Sequence, residues 1–370
     1  MSSKQIKVHL QYPWRFPDSS YYKNMLEFSP KGIEYVNYKK KLNKMEIIGS
    51  SKKFERMRKF KNLLRTILNI LSLPNLTYSF NKDCDMIHCA HCLSLNKKPW
   101  VVDTEVYDCV TAGGNITRSK LGRWIIKNRL ESAHCKKIIA WSEDCKKTFE
   151  EAFPNNKKIL DKLEILHFAL PAPNFKKIKH KNLRILFVAR WFEAKGGKQT
   201  LYVFNELSMK YPNIEFIFIC PTPKKFKEKY KNNKKIKIMD LVPQERLFKE
   251  IYPSCDIFFY PGFGDSYGFA TPEAFAYELP VVTSNTFAKK EIMGNGRYGF
   301  IIDKPLSFRG YDGMDKKMLN EFIVKTELLI KDKKLREKIG KAARKEVVNG
   351  MFSMKKRNDK LRKIYEKTLD

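Results

Sequence analysis

The chain has 370 residues, more than one hydrophobic core usually serves, so two domains are expected. Hydrophobic residues make up 43% and charged residues 31%, with both signs interleaved among aromatics, which excludes an intrinsically disordered chain. The formal net charge of +33 favours anionic partners such as nucleic acid, lipid headgroups or phosphorylated substrates without choosing among them, and a genome-wide bias toward lysine codons would give the same excess.

Ile6 to Leu10 reads as a first strand, followed by a Pro/Trp/Arg loop from Tyr12 to Ser20. No secretory pattern opens the chain, and the longest apolar run, Leu63 to Leu73, is broken by Arg65 and Asn69. With eight scattered cysteines in mostly apolar contexts, the expectation is a cytosolic protein with free thiols. From Lys52 to Leu71, Phe54, Met57, Phe60, Leu64, Ile67, Leu68 and Leu71 recur at helical spacing, with Lys53, Arg56, Lys59 and Lys61 around them. Such a helix either lies on an anionic membrane or packs its apolar face on a core like any surface helix.

Strand-like segments follow at Met86 to Cys89, Trp100 to Asp103, Lys137 to Trp141 and Leu163 to His167, alternating with helices. This is the signature of an α/β layer with a parallel sheet. Pro171-Ala172-Pro173-Asn174 and the basic run to Lys181 read as the linker, dividing an N-terminal domain at 1–173 from a C-terminal one at 174–350. A second α/β series has strands at Arg184 to Ala189, Glu215 to Cys220, Ile236 to Met239, Ile257 to Tyr260 and Pro280 to Thr283. A last helix at 351–370 is expected to cross back to the first domain.

Two places in the second series carry chemistry. The strand ending at Ala189 runs into Arg190-Trp191-Phe192-Glu193-Ala194-Lys195-Gly196-Gly197. Gly196 and Gly197 permit close backbone approach where a helix should begin, a setting that attracts phosphate, and Arg190 and Lys195 add two full charges. The bland alternative is a surface turn with solvated cations. The strand ending at Tyr260 leads into Gly262-Phe263-Gly264-Asp265 and then Thr271-Pro272-Glu273, which reads as a helix start with Thr271 as N-cap. Glu273 could simply complement the helix dipole. Two carboxylates flanking a glycine turn, with backbone N–H groups near Gly268 and Phe269 between them, also suit a hydroxyl-rich sugar.

Arg190, Lys195-Gly196, Asp265 and Glu273 together resemble the signature of glycosyltransferase family four (glycosyl transferases group one), and the likeness covers most of Leu183 to Asp303. The resemblance implies a GT-B fold: α/β, two Rossmann-like domains facing across a cleft, with the acceptor bound by the first and the donor by the second. It implies a retaining transfer of a hexose-type sugar from a UDP- or GDP-sugar, with no metal or cofactor required. Arg190 and Lys195 would grip the diphosphate, Glu273 the ribose, and Asp265 the transferred sugar, aided by backbone N–H groups of Tyr267, Gly268 and Phe269. The net charge and the Lys52 to Leu71 helix point to a glycan or phospholipid-linked acceptor at the cytosolic membrane face. Two departures stand out: Asp265 is one methylene shorter than the family's usual Glu, and Glu105 stands where many relatives place His. Glu105 either orients substrate, acts as a base or is a solvated loop carboxylate. Tyr12 to Ser20 takes the place of the usual Gly-rich loop, with Arg15 as its cation near a phosphate, and His91 resembles a site-edge position while also suiting a structural role.

Cys84, His88, Cys89, His91 and Cys92 form a dense cluster, but on a strand Cys89 and Cys92 would face opposite ways, against a zinc site. A nucleic-acid-binding protein is the rival class; it has the charge but no helix-turn-helix, zinc-finger or RNA-binding signature. A non-catalytic relative is the third reading.

Overall fold

A computed structural model describes residues 5–11, 19–38, 63, 66–67, 70, 73–110, 119–304 and 313–370. The expected positions Arg15 and, for the most part, the basic helix over Lys52 to Leu71 lie outside the described residues. The chain divides into two compact units: Met1–Ala169 with Met354–Asp370, and Leu170–Ser353.

In the first unit, β1 (Ile6–Gln11), β2 (Ile33–Tyr35), β4 (Met86–Ala90), β6 (Trp100–Thr104), β7 (Cys135–Ala140) and β8 (Leu163–Ile165) form one sheet in the order β2-β1-β4-β6-β7-β8. Every pairing is parallel. A small pair, β3 (Leu76–Thr77) and β5 (Leu93–Ser94), stands apart. Residues of the central strands β4 and β6 are buried throughout, as expected of parallel strands covered on both faces. The helices α1 (Ser20–Glu27), α2 (Lys120–Glu131) and α3 (Glu143–Ala152) belong to this unit. Ser119 and Ser142 start α2 and α3, their hydroxyls accepting from the backbone N–H of Gly122 and Cys145.

The second unit has β9 (Leu183–Val188), β10 (Ile214–Ile219), β11 (Ile236–Met239), β12 (Ile257–Tyr260), β13 (Val281–Ser284) and β14 (Gly299–Ile302) in the order β11-β10-β9-β12-β13-β14, again all parallel. The chain winds outward from β9 to β11 and returns to β12 on the other side of β9. This is the doubly wound order with a topological switch between β9 and β12. The helices of this unit include α4 (Gly197–Lys210), α5 (Ala270–Ala276), α6 (Lys289–Ile292) and α7 (Lys316–Lys331). Next comes α8 (Lys333–Val348), and α9 (Met354–Leu369) belongs to the first unit.

Several expectations need correction. The segment after Pro171, read as the linker, has no regular structure. It is strapped to the second unit: Ile178 donates its N–H to Pro253 at 3.0 Å, and Phe175 is sandwiched by Tyr277 and the Arg344 guanidinium. The helix at Thr271 begins earlier, at Ala270, with Phe269 already helical before it, so Thr271 is inside the first turn and caps nothing. Cys89 and Cys92 share one core with Cys84 and Cys135, because His91 turns the chain with φ +52° after the strand ends. All eight cysteines are free thiols, and among the described residues no group of His, Cys, Asp and Glu is arranged to hold a metal. No described helix is long and apolar enough to cross a membrane.

A polar chain runs through the core of the first unit. Tyr22 donates its hydroxyl proton to Asp103 at 2.6 Å, the other Asp103 oxygen lies 3.3 Å from His88 Nε2, and His88 Nδ1 is 2.5 Å from the hydroxyl of Tyr365 on α9. Tyr365 in turn meets Tyr35 at 3.1 Å.

Candidate functional site

The candidate site lies at the C-terminal ends of β9, β12 and β13, three neighbouring strands beside the switch point where α/β sheets bind ligands. Two loops are stitched together there by backbone hydrogen bonds. Gly262 N–H donates to the Lys195 carbonyl at 3.1 Å, and Gly264 N–H donates to the Ala194 carbonyl at 2.8 Å. The stitching needs glycine. Gly196 has φ +79°, and a Cβ there would sit 2.7 Å from Pro261. A Cβ on Gly197 would enter the ring of Phe192. α4 therefore starts at Gly197, as the sequence suggested.

The stitched loops bring Lys195 and Asp265 into contact. Lys195 Nζ is 2.9 Å from Asp265 Oδ1, with both side chains mostly buried, and it also donates to the Gly264 carbonyl at 3.1 Å. Asp265 Oδ2 accepts from the Tyr260 hydroxyl at 2.6 Å. A third residue, absent from the sequence reading, completes the cluster. Lys289, at the start of α6 just after β13, is fully buried, with Nζ 3.7 Å from Asp265 Oδ2 and 4.5 Å from the centre of the Tyr260 ring. Burial pushes the Asp265 pKa upward, but Lys289 and Lys195 outweigh it, and the carboxyl ends below its ordinary range. Burial pulls Lys289 down to about 8; Asp265 opposes that pull and Lys195 adds to it. Burial and then Asp265 hold Tyr260 protonated, so it is a hydrogen-bond donor.

Gly268 closes the cluster with φ +85°, its backbone packed against the Lys289 ammonium and Asp265. Tyr267 is buried, its ring tilted against that of Phe269 with ring centres 5.5 Å apart. Glu273, in the first turn of α5, is buried and accepts from the Tyr252 hydroxyl at 3.3 Å. Arg190 follows β9 on the exposed side of the same loop, and among the described residues no carboxylate pairs with it. The second unit thus gathers Arg190, Lys195, Gly196, Asp265, Gly268 and Glu273 around the C-terminal edge of one sheet.

The remaining expected residues belong to the first unit. Glu105 follows β6 and is half-buried. His91 is buried beyond the end of β4, its N–H bonded to the Asp103 carbonyl at 3.0 Å and its Nδ1 3.3 Å from the Thr104 hydroxyl. Tyr22 and Trp141 wall its ring, and burial holds its pKa down at about 4, so the ring is neutral near pH 7. Its packing is that of a structural residue.

Lys289 could not be found by motif. In sequence it reads as one of two lysines opening a short helix, ordinarily solvated. Only the adjacency of β12 and β13 turns it inward onto Asp265.

Residues 172–346 match the family model for glycosyl transferases group 1. A capsular polysaccharide biosynthesis glycosyltransferase, CapM of Staphylococcus aureus, is 28% identical over 185 residues, covering 48% of this chain and 45% of its own. The chain therefore spans about half the length of that relative. In fold, the chain is similar to a glycosyltransferase of Rickettsia africae (TM-score 0.64, 14% identity, 99% of each chain covered). It is similar also to HepE of Anabaena, solved with UDP and glucose (TM-score 0.63, 10% identity, 98% and 99% covered). Residues 172–346 are thus similar to glycosyl transferases group 1, and the chain has a GT-B fold of two Rossmann-like units.

Proposed function

We propose that this protein is a retaining, metal-independent glycosyltransferase that moves a hexose-type sugar from a UDP- or GDP-sugar to a glycan or phospholipid-linked acceptor. The observation that carries the reading is the Lys195–Asp265 pair, held at 2.9 Å beside the switch point of the second unit's sheet. A diphosphate arriving there meets a lysine already placed, with Arg190 exposed on the same loop to fork onto phosphate oxygens. As the glycosidic bond breaks, negative charge grows on the departing diphosphate, and fixed cations stabilise that charge more in the transition state than in the ground state. Arg190 and Lys195 supply the positive charge a divalent cation would otherwise bring, so turnover is expected in EDTA. Glu273, whose carboxylate accepts from Tyr252, is the candidate for the ribose hydroxyls. Asp265, with the N–H groups of the Tyr267–Phe269 turn, faces the transferred sugar. Glu105 in the first unit is the candidate to orient the acceptor. The net charge of +33 and the Lys52 to Leu71 pattern support work at an anionic, cytosolic membrane face.

The test is calorimetric titration of UDP, GDP, ADP and their sugars in EDTA, followed by Glu273→Ala. Selective binding of one nucleotide, weakened about 10- to 100-fold by Glu273→Ala, supports the reading, since a hydrogen bond to a charged group contributes about 1.5–3 kcal/mol. Absence of nucleotide binding beside tight, salt-sensitive binding to nucleic acid would reject it.

A further inference from the structure

The second lysine on Asp265 has no place in the reading so far. One cation suffices to keep a carboxylate ionised, yet Asp265 has two, from different strands. Lys195 comes from the loop after β9 and Lys289 from the turn after β13. The two are not equivalent. Lys195 keeps 15% of its side-chain surface and sits on the stitched loop that also carries Arg190, whereas Lys289 has none exposed. Among the described residues its ammonium makes no hydrogen bond, and its favourable partners there are the Asp265 carboxylate and the Tyr260 ring. A buried ammonium is costly to keep without a strong partner, so its place depends on Asp265.

Among the described residues, four groups besides Asp265 bear on this centre or on Tyr260 within it: Lys195, Lys289, Tyr252 and Glu273. Lys195 faces it from the β9 loop, Tyr260 from β12 and Lys289 from the β13 turn, while Tyr252 and Glu273 bear on Tyr260 from behind. A diphosphate that recruits Lys195 takes a counter-ion from Asp265. Without a substitute, a largely buried carboxylate would take up a proton or swing away, and the sugar would lose its acceptor. Lys289 is that substitute. When Lys195 turns to phosphate, its repulsion on Lys289 falls, and Lys289 is left as the cation against Asp265.

We propose that Lys289 is a positioning residue for Asp265: it holds the carboxylate charged and in place when an incoming diphosphate draws Lys195 away. The shorter side chain of Asp265, compared with the Glu usual in the resembling family, fits this arrangement, because its carboxylate lies back within reach of the β13 turn. The proposal rests on the donor-site reading for its purpose, though not for its first test.

That test uses no ligand. The Asp265 carboxyl carbon is titrated by NMR in the full chain and identified by its loss in Asp265→Asn. Lys195→Met mimics recruitment of Lys195, and Lys289→Met is then added. The expected result is that Lys195→Met leaves Asp265 ionised near pH 5, while Lys195→Met/Lys289→Met raises its midpoint by about 1–3 pH units further. No further rise on adding Lys289→Met overturns the proposal. If the double variant fails to fold, Lys289→Gln, which keeps the polarity and removes the charge, replaces Lys289→Met. The second arm follows kcat against pH with UDP-glucose and GDP-mannose. Lys289→Met should move the acid limb up by about one unit and Lys289→Arg should restore it. An unmoved acid limb counts against the proposal. If the unmodified protein turns over neither donor, the donor-site reading suffers, and the carboxyl titration still decides the role of Lys289.

Discussion

Gly268→Ala is the substitution whose cost the structure specifies most closely. Gly268 has φ +85°, and an added Cβ would run into the Lys289 ammonium and stand 3.1 Å from Asp265 Oδ2. Two costs add. Any L-residue in the left-handed region loses about 1–2 kcal/mol. Lys289 must also swing off Asp265, and separating a buried pair costs up to about 3–5 kcal/mol when one partner is lost outright. Here Lys195 and Tyr260 stay on Asp265, and the end of a lysine side chain is flexible, so the second cost should be about 1–3 kcal/mol. Gly296→Ala isolates the first cost, because Gly296 lies in the same unit at φ +94° with nothing within 4 Å of its added Cβ. Hydrogen exchange of the β12 and β13 amides reports the stability of this unit directly. Gly268→Ala should lower it by about 2–5 kcal/mol and Gly296→Ala by about 1–2 kcal/mol. Equal losses in the two variants would refute the close packing of the Gly268 turn on Lys289.

Further predictions concern other parts of the chain. Lys195→Ala should depress turnover more than donor affinity, because leaving-group charge grows toward the transition state; an unchanged kcat would remove Lys195 from that role. In the first unit, His91 has a pKa of about 4 against an ordinary value of 6.5, so its unfolded form binds more protons between those limits. Its stabilising contribution is complete above pH 6.5 and is lost as pH falls toward 4, by up to about 3 kcal/mol. His91→Asn tolerates the φ of +52° and should flatten the dependence of the urea midpoint on pH over this window; an unchanged slope would show that other groups cause it. Neutralising Lys53, Arg56 and Lys59 should weaken binding to anionic vesicles and spare donor hydrolysis, and equal binding to neutral and anionic vesicles would end the membrane idea.

What the sequence disclosed follows from its periodicities. The central strands, buried on both faces, are long apolar runs, so β4, β6, β9, β10 and β12 were legible to within one residue or so. Of the four edge strands of the two large sheets, β8 and β11 were legible too, whereas β2 and β14 were not. Ile33–Tyr35 is three residues long, and Gly299–Ile302 opens on a glycine, so neither shows a pattern strong enough to separate it from a loop. The glycines and charges of the site were legible because they cluster near strand ends. Thr271 misled because Thr-Pro-Glu is a helix-start pattern that a tertiary turn at Gly268 pre-empts by a residue. Lys289 was invisible for a deeper reason. Its partner Asp265 comes from a different strand, and only sheet order makes them neighbours.

The return of α9 to the first unit has a consequence for synthesis on the ribosome. The second unit is one unbroken stretch, Leu170–Ser353, and can close as soon as it emerges. The first unit is begun earlier and finished later. Its buried His88 waits for Tyr365 while the whole second unit is translated, about 10–40 s at ordinary elongation rates. During that interval the apolar seat of α9 is open to solvent. The half of the chain that is made first is therefore the half that matures last, and it is the one most exposed to chaperones and proteases while the nascent chain is incomplete.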